Sequence, residues 1–216
     1  MMDPQFWHDR WEANQIGFHK SEANPALTAH FHRLALAPGA RVFVPLCGKT
    51  KDIGWLLEQG MRVVGAELSE IAVAQLFREM GVKATVTRHG AMQVYRGAGA
   101  EIFVGDIFDL GASDMGPIDA IYDRAALVAL PPKMRAAYAR HLMDVTGGAK
   151  QLTVTFEYDQ SKMNGPPFSV PALEVLDHYG GAYALEAVEA GPVEGGLKDV
   201  AEAAQTVWVM GANAPA

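Results

Sequence analysis

Residues 41–67 read RVFVPLCGKTKDIGWLLEQGMRVVGAE, and the fold turns on how this stretch is parsed. Val42–Leu46 is a short, β-rich apolar run of the kind that forms a strand buried on both faces. Cys47–Gly48–Lys49–Thr50 makes a turn, after which Ile53, Leu56 and Leu57 recur at helical spacing. Gly60 stops that helix, and Met61–Ala66 is a second buried strand ending at Glu67. The order is strand, glycine turn, helix, strand, acid. Gly48 and Glu67 stand 19 positions apart, close to the roughly 20-residue offset of dinucleotide-binding units. A carboxylate at that strand tip is able to accept hydrogen bonds from both hydroxyls of a ribose. The unit is therefore expected to hold a nucleoside.

Outward from this unit the same alternation continues. Towards the N-terminus, Asp3–Pro4 and Asn24–Pro25 each give a helix cap followed by proline at the first helical position. Trp7 and Trp11 share one face of the first helix, which either packs on the core or covers a ligand. Phe18 lies in the non-periodic segment NQIGFHK (Asn14–Lys20), flanked by Gly17, where it either packs on the surface or belongs to a mobile lid. Leu27, Phe31 and Leu34 give the second helix its face. Beyond Glu67, Ser69 caps a helix carrying Val73, Leu76, Phe77 and Met80, and Lys83–Gly99 is expected to be an inserted hairpin. Further strands are expected at Glu101–Val104, Ile118–Tyr122 and Gln151–Phe156, with helices opening at Pro131–Pro132 and around Leu173–Tyr179. The proline-rich loop NGPPFSVP (Asn164–Pro171) is too rigid for a simple linker. Tyr183–Val188 and Thr206–Met210 form a final hairpin around the charged loop Glu189–Gln205, and Gly211–Ala216 is expected to fray.

Strands alternating with helices predict an α/β fold: a doubly wound, mostly parallel sheet with an antiparallel C-terminal strand. The 216 residues suit one domain with a real core. Hydrophobic residues make up 50% and charged residues 20%, as in a globular chain, and no apolar run approaches the ~18 residues of a membrane span. The N-terminal MMDPQFWHDRWE is mixed in charge and unlike a signal peptide, so a cytoplasmic protein is expected. A net charge of −7 with no clustered basic patch argues against a nucleic-acid partner. One cysteine excludes an internal disulfide, and no Cys/His spacing fits a structural zinc site. His30 and His32 diverge on a helix, so no metal pair is expected there.

In an open α/β sheet, ligands bind beyond the carboxyl ends of the strands. Cys47–Gly48, Glu67, Asp106–Ile107 and Asp123–Arg124 are all expected to gather at such ends. Asp106 and Ile107 are placed to flank an adenine, the acid taking its exocyclic amine; the alternative is an ordinary helix cap. The first turn lacks GxGxxG, and Phe43 stands where a P-loop needs its upstream glycine. Without a pyrophosphate cradle, the expected ligand is a nucleoside such as S-adenosylmethionine rather than NAD. Cys47 sits in a backbone-contact turn with no nearby His or Asn and reads as structural.

Several strings resemble the thiopurine S-methyltransferase family, in its bacterial branch. They are FWHDRW (Phe6–Trp11), GFHK (Gly17–Lys20), PLCGK (Pro45–Lys49), VVGAELSE (Val63–Glu70), DIFDL (Asp106–Leu110), YDRAALVALP (Tyr122–Pro131) and GPPFSVP (Gly165–Pro171), and the likeness runs from Phe6 to Met210. The resemblance implies a class I, Rossmann-like S-adenosylmethionine-dependent methyltransferase. It implies that Trp7 and Trp11 close over the cofactor within an N-terminal helical lid, residues 1–36. It places Leu46 and Gly48 beneath the methionine part, Glu67 on the ribose and Asp106 with Ile107 on the adenine. Vertebrate members carry serine in place of Asp106. Arg124 would serve both cofactor and acceptor, and Phe18 would stack on the acceptor. The loop Glu189–Gln205 matches vertebrate members poorly.

The reaction so implied is direct methyl transfer to a sulfur nucleophile. A thiol of low pKa ionises near neutrality, so no catalytic base and no metal is required. The expected partner is a small-molecule thiol; the alternatives are a selenium or tellurium acceptor and a non-catalytic nucleoside-binding module. A monomer is expected.

Overall fold

The two apolar runs of the 41–67 stretch are neighbouring parallel strands at the middle of a nine-stranded sheet. The structure is a computed structural model and describes residues 4–17, 19–193, 195–198, 200 and 202–212. In chain order the strands are β1 (Arg41–Val44), β2 (Arg62–Glu67), β3 (Thr85–His89), β4 (Met92–Gly97), β5 (Ala100–Val104), β6 (Ala120–Arg124), β7 (Lys150–Glu157), β8 (Tyr183–Pro192) and β9 (Ala204–Ala212). The helices are α1 (Pro4–Glu12), α2 (Pro25–His30), α3 (Asp52–Glu58), α4 (Glu70–Glu79), α5 (Ala112–Met115), α6 (Pro132–Thr146) and α7 (Ala172–Tyr179). The sheet order is β3-β4-β5-β2-β1-β6-β7-β9-β8. The strands from β5 to β7 run parallel, the hairpin β3–β4 extends one edge antiparallel, and β9 with β8 extends the other.

Parallel strands need crossovers, and the crossovers cover both faces of the sheet. Alternate residues of β1 and β2 accordingly enter different cores. Phe43, Val64 and Ala66 pack with Tyr138 and Leu142 of α6 and Val175 and Tyr179 of α7. Val42, Val44 and Val63 pack with Leu27 of α2, Ile53 and Leu56 of α3, and Val73 and Leu76 of α4. The sequence period and the burial agree: in α4 the buried residues are Ala72, Val73, Leu76 and Phe77, and Ser69 Oγ accepts the Ala72 amide as its cap.

The crevice that matters opens where the winding reverses, between β1 and β6. Their ladder consists of Val42–Ala120 and Phe43–Ile121, whereas β6 stays paired to β7 as far as Arg124–Val154. The chain leaves β1 by a turn in which Leu46 and Gly48 both take left-handed backbone angles, at φ +46 and +53. The last residues of β6 therefore extend past the end of β1.

Boundaries differ from the sequence reading in places that have physical reasons. Leu46, expected at the end of the first strand, lies in this turn. The expected strand Ile118–Tyr122 runs instead from Ala120 to Arg124, because pairing with β7 holds Asp123 and Arg124 in the ladder. The last hairpin is longer than its apolar runs: β8 reaches Pro192 through a register shift between Ala187 and Glu189, and Gly211 and Ala212 remain paired to β8 rather than starting a tail. The predicted cap Asp3 lies outside the described residues. Among the described residues, no helix is long and apolar enough to cross a membrane.

A buried acid ties the start of α2 to this sheet. Asp52, 1% exposed, accepts the Asn24 amide at 2.7 Å through Oδ1 and the Tyr122 hydroxyl at 3.0 Å through Oδ2. Asn24 in turn caps α2 by accepting the Ala26 amide. Tyr122→Phe would leave one carboxylate oxygen short of a donor in a dry site. The expected loss is about 1–3 kcal/mol, read as a lower urea midpoint at unchanged slope. An unchanged midpoint would show that the hydroxyl does not hold Asp52.

Candidate active site

Glu67 ends β2 with its carboxylate 6% exposed. Oε2 accepts the Gly48 amide at 2.8 Å and Oε1 accepts the Ser69 amide at 2.8 Å. Burial pushes its pKa up, and the Ser69, Gly48 and Leu68 amides work against that rise. The two hydrogen bonds, with the Leu68 amide also acting on the group, leave part of a carboxylate's roughly four acceptor positions for further hydroxyl donors.

Gly48 is covered by Trp11, which is buried at 4% exposure. A Cβ built on Gly48 would stand 3.2 Å from Trp11 Cζ2 and 3.6 Å from Cη2. The turn is thus bare backbone beneath an indole, in a conformation that glycine alone adopts without strain. Trp7 sits one turn earlier on α1, half-buried, with its ring edge-on to Phe6 at 5.2 Å. Cys47 lies inside the turn at 5% exposure; its amide donates to Ala66 O, and burial holds its thiol well above the usual pKa range.

The next strand end is tied to the same carboxylate residue, since the Gly105 amide donates to Glu67 O at 3.0 Å. Asp106 follows, exposed, with Oδ1 accepting the Phe108 amide at 3.0 Å; this is the helix-cap geometry that the sequence allowed. Among the described residues, its other carboxylate oxygen has no hydrogen-bond donor. Ile107 is buried at 4%, and its carbonyl meets His141 Nε2 at 2.7 Å.

On the far side of the crevice stands Arg124, half-buried and, among the described residues, without an ion-pair partner. Its charge reaches His19, whose pKa is lowered first by burial and then by Lys49, with Lys51 and Arg124 adding to the effect and Glu79 opposing it. His19 is therefore neutral at pH 7. Glu79 joins the neighbouring lysines, accepting Lys49 Nζ at 2.6 Å and Lys51 Nζ at 2.8 Å, and these bonds hold its carboxyl down to about 2. Phe18 lies outside the described residues. The sequence singled out neither His19 nor the anchoring of Asp123, which is fully buried beside Arg124; an acid inside an apolar strand carries no periodic signal of its own.

The strand ends of β1, β2 and β5 are thus linked by hydrogen bonds, and Arg124 of β6 borders the same edge. A family profile described as Thiopurine S-methyltransferase (TPMT) matches residues 2–208. The chain belongs to the thiopurine S-methyltransferase family. A thiopurine S-methyltransferase from Xanthobacter autotrophicus is 56% identical over 210 residues, covering 97% of this chain and 99% of the relative. One from Teredinibacter turnerae is 50% identical, with 98% and 99% covered. Among solved structures, a TehB-like SAM-dependent methyltransferase from Corynebacterium glutamicum shares the fold at TM-score 0.58 and 14% identity, covering 97% of this chain and 98% of its own. A 1,6-didemethyltoxoflavin-N1-methyltransferase from Burkholderia thailandensis, solved with S-adenosylhomocysteine, does so at TM-score 0.65 and 17% identity, covering 97% and 87%. The sheet of this thiopurine S-methyltransferase family member is therefore of the class I, Rossmann-like methyltransferase kind.

The cover over Gly48 is open to a direct test. Gly48→Ala adds a Cβ against the Trp11 ring and forces alanine into a left-handed turn, which costs about 1–2 kcal/mol in backbone strain alone. Part of the total should vanish in a Trp11→Ala background, where the ring is gone, while the backbone part remains. Equal losses in both backgrounds, measured by denaturant unfolding, would mean that Trp11 does not bear on Gly48.

Proposed function

We propose that the protein transfers the methyl group of S-adenosylmethionine to the sulfur of a small aromatic heterocyclic thiol of the thiopurine type. The observation that supports this reading is one crevice bordered by bare glycine backbone under an indole, a buried carboxylate with unused lone pairs, and an arginine without an anionic partner among the described residues. The family is one of S-adenosylmethionine-dependent methyltransferases, and the named relatives carry the thiopurine acceptor in their names.

The residues present fit this cofactor. Any side chain at Gly48 would press on Trp11, so the turn presents only backbone beside the indole. In this reading Leu46 and Gly48 lie under the methionine part, and the free lone pairs of Glu67 accept the ribose hydroxyls. Asp106 and Ile107 take the amine and the face of the adenine. Trp7 and Trp11 close over the top, as the family resemblance suggests. In this reading residues 1–36 form the lid, and the Asp52 carboxylate anchors it to the sheet side at the Asn24 amide.

When bound, the cofactor supplies a sulfonium methyl open to direct displacement. The protein's part is alignment and exclusion of water, which together account for much of such a barrier. Aromatic faces favour the positive charge of the sulfonium. Arg124 holds and orients the anionic acceptor, and Phe18 is assigned to the acceptor's ring by resemblance. A thiol already ionised near neutral pH needs no base.

Methyl transfer from labelled S-adenosylmethionine, with 6-mercaptopurine and selenite assayed in parallel, tests the acceptor class. Turnover of the thiopurine supports the proposal; turnover of selenite alone replaces it with the metalloid reading. Arg124→Ala is expected to lower kcat for the thiopurine roughly 10²-fold, with the fold intact by circular dichroism. Wild-type kinetics in that variant would remove Arg124 from the site.

A further inference from the structure

Beneath Arg124 lies a charged group that the reaction as described does not use. Asp123 is 0% exposed and turns toward the core face formed by α6 and α7. Its Oδ1 accepts the Leu127 amide at 3.0 Å and its Oδ2 accepts the Tyr138 hydroxyl at 2.8 Å, and the Ala126 amide also favours its ionised form. Arg124 stands between two fixed points. Before the turn, the β6–β7 ladder runs through Arg124–Val154; after it, the Ala126 and Leu127 amides are drawn back to the Asp123 carboxylate. The residue between, Ala125, is a non-glycine at φ +64, a conformation that persists only where the surroundings impose it.

Stability does not account for this acid. Burial pushes its carboxyl up to about 6, and the bonds from Leu127, Tyr138 and Ala126 offset only part of the rise. The folded chain thus holds the proton more tightly than the unfolded chain. The sign follows: stability falls as pH rises from the ordinary carboxylate range through about 6, and levels off above it. At neutral pH the charge weighs against the fold. The titratable groups facing it are Tyr138 on α6 and Tyr179 on α7, with Tyr122 on the opposite face of its own strand still within electrostatic reach, and no cation among them offsets the burial. What the ionised carboxylate does achieve is the geometry of the turn.

We propose that Asp123 is a positioning residue, its buried carboxylate clamping the Arg124–Leu127 turn and so aiming the Arg124 side chain into the crevice. This role rests on the reading that Arg124 serves the cofactor and acceptor. Asp123 acts on the reaction through Arg124 and touches neither ligand.

The test is a double-mutant cycle with a pH profile. Asp123→Asn, Tyr138→Phe, Arg124→Ala and the Asp123→Asn/Arg124→Ala double variant are compared from pH 5 to 8. The readouts are kcat/KM for 6-mercaptopurine, the S-adenosylhomocysteine Kd by calorimetry, and the thermal midpoint. Asp123→Asn is expected to raise the thermal midpoint at pH 8 yet lower kcat/KM roughly 10- to 100-fold, and to cost nothing further once Arg124 is alanine. Glu67 also titrates above its usual range, so the assignment rests on the variants: the acid limb of the wild-type profile should flatten in Asp123→Asn and move to higher pH in Tyr138→Phe, where the ionised form loses a donor. Additive losses in the double variant, or an unchanged limb in Tyr138→Phe, would overturn the proposal; should Asp123→Asn fail to fold, Tyr138→Phe decides alone. Wild-type kinetics in Arg124→Ala would instead remove the underlying site reading, and the positioning role with it.

Discussion

The rest of the site depends on where the Glu67 carboxylate sends its two oxygens. One takes the amide of the first turn and the other the amide that opens α4, so a single charge joins the exit from β1 to the end of β2 and the start of the next helix. The Gly105 amide on the Glu67 carbonyl brings β5 into the same group. Removing a carboxylate from water is costly, and here backbone donors offset that cost while leaving acceptor capacity unused. The spacing between Gly48 and Glu67 is thus a mechanical requirement as well as a recognition pattern: the helix between them must return the chain to within one hydrogen bond of where it left.

The opposite wall of the crevice lacks such a neighbour, because β1 turns away before β6 ends. The structure compensates from above and below the sheet. Consecutive residues of β6 point to opposite faces, and each meets an acid–tyrosine pair: Tyr122 donates to Asp52 on the side of α2 and α3, while Asp123 accepts from Tyr138 on the side of α6. Two buried hydrogen bonds of opposite direction tie the strand to the elements on both faces as it passes the end of its partner. An ion pair of Arg135 with the half-buried Glu174 joins α6 to α7 behind it.

Much of this is legible in the sequence, and the reasons differ by element. The 41–67 unit is clear because its strands are apolar on both faces and its turn contains the glycine that a left-handed angle demands. The hairpin over Lys83–Gly99 is signalled by its glycines, but its place at the sheet edge, beside β5, depends on pairing that chain order does not encode. The end of β6 is obscured because Tyr122, Asp123 and Arg124 look like a strand tip, yet β7 keeps them in register. Asp52 is hidden inside the charged string KTKD, which reads as a solvated turn; only the arrival of Tyr122 and Asn24 makes it an interior residue. Buried acids escape pattern reading because their justification is a partner distant in the chain.

One consequence concerns the protein's only thiol. A sulfonium methyl donor is electrophilic toward any thiolate, and Cys47 adjoins Gly48 in the very turn that faces the crevice. Its sulfur is turned inward, 3.7 Å from the Gly48 carbonyl and lying over the side-chain-free Gly65, where an added Cβ would stand 3.1 Å away. Burial there keeps it protonated, and the neutral thiol is a poor nucleophile. Gly65 is therefore more than a gap in β2: its missing side chain leaves room for Ile102 Cδ1, 2.6 Å from where a Cβ would stand, and for the Cys47 sulfur beside it, so the thiol stays buried and un-ionised.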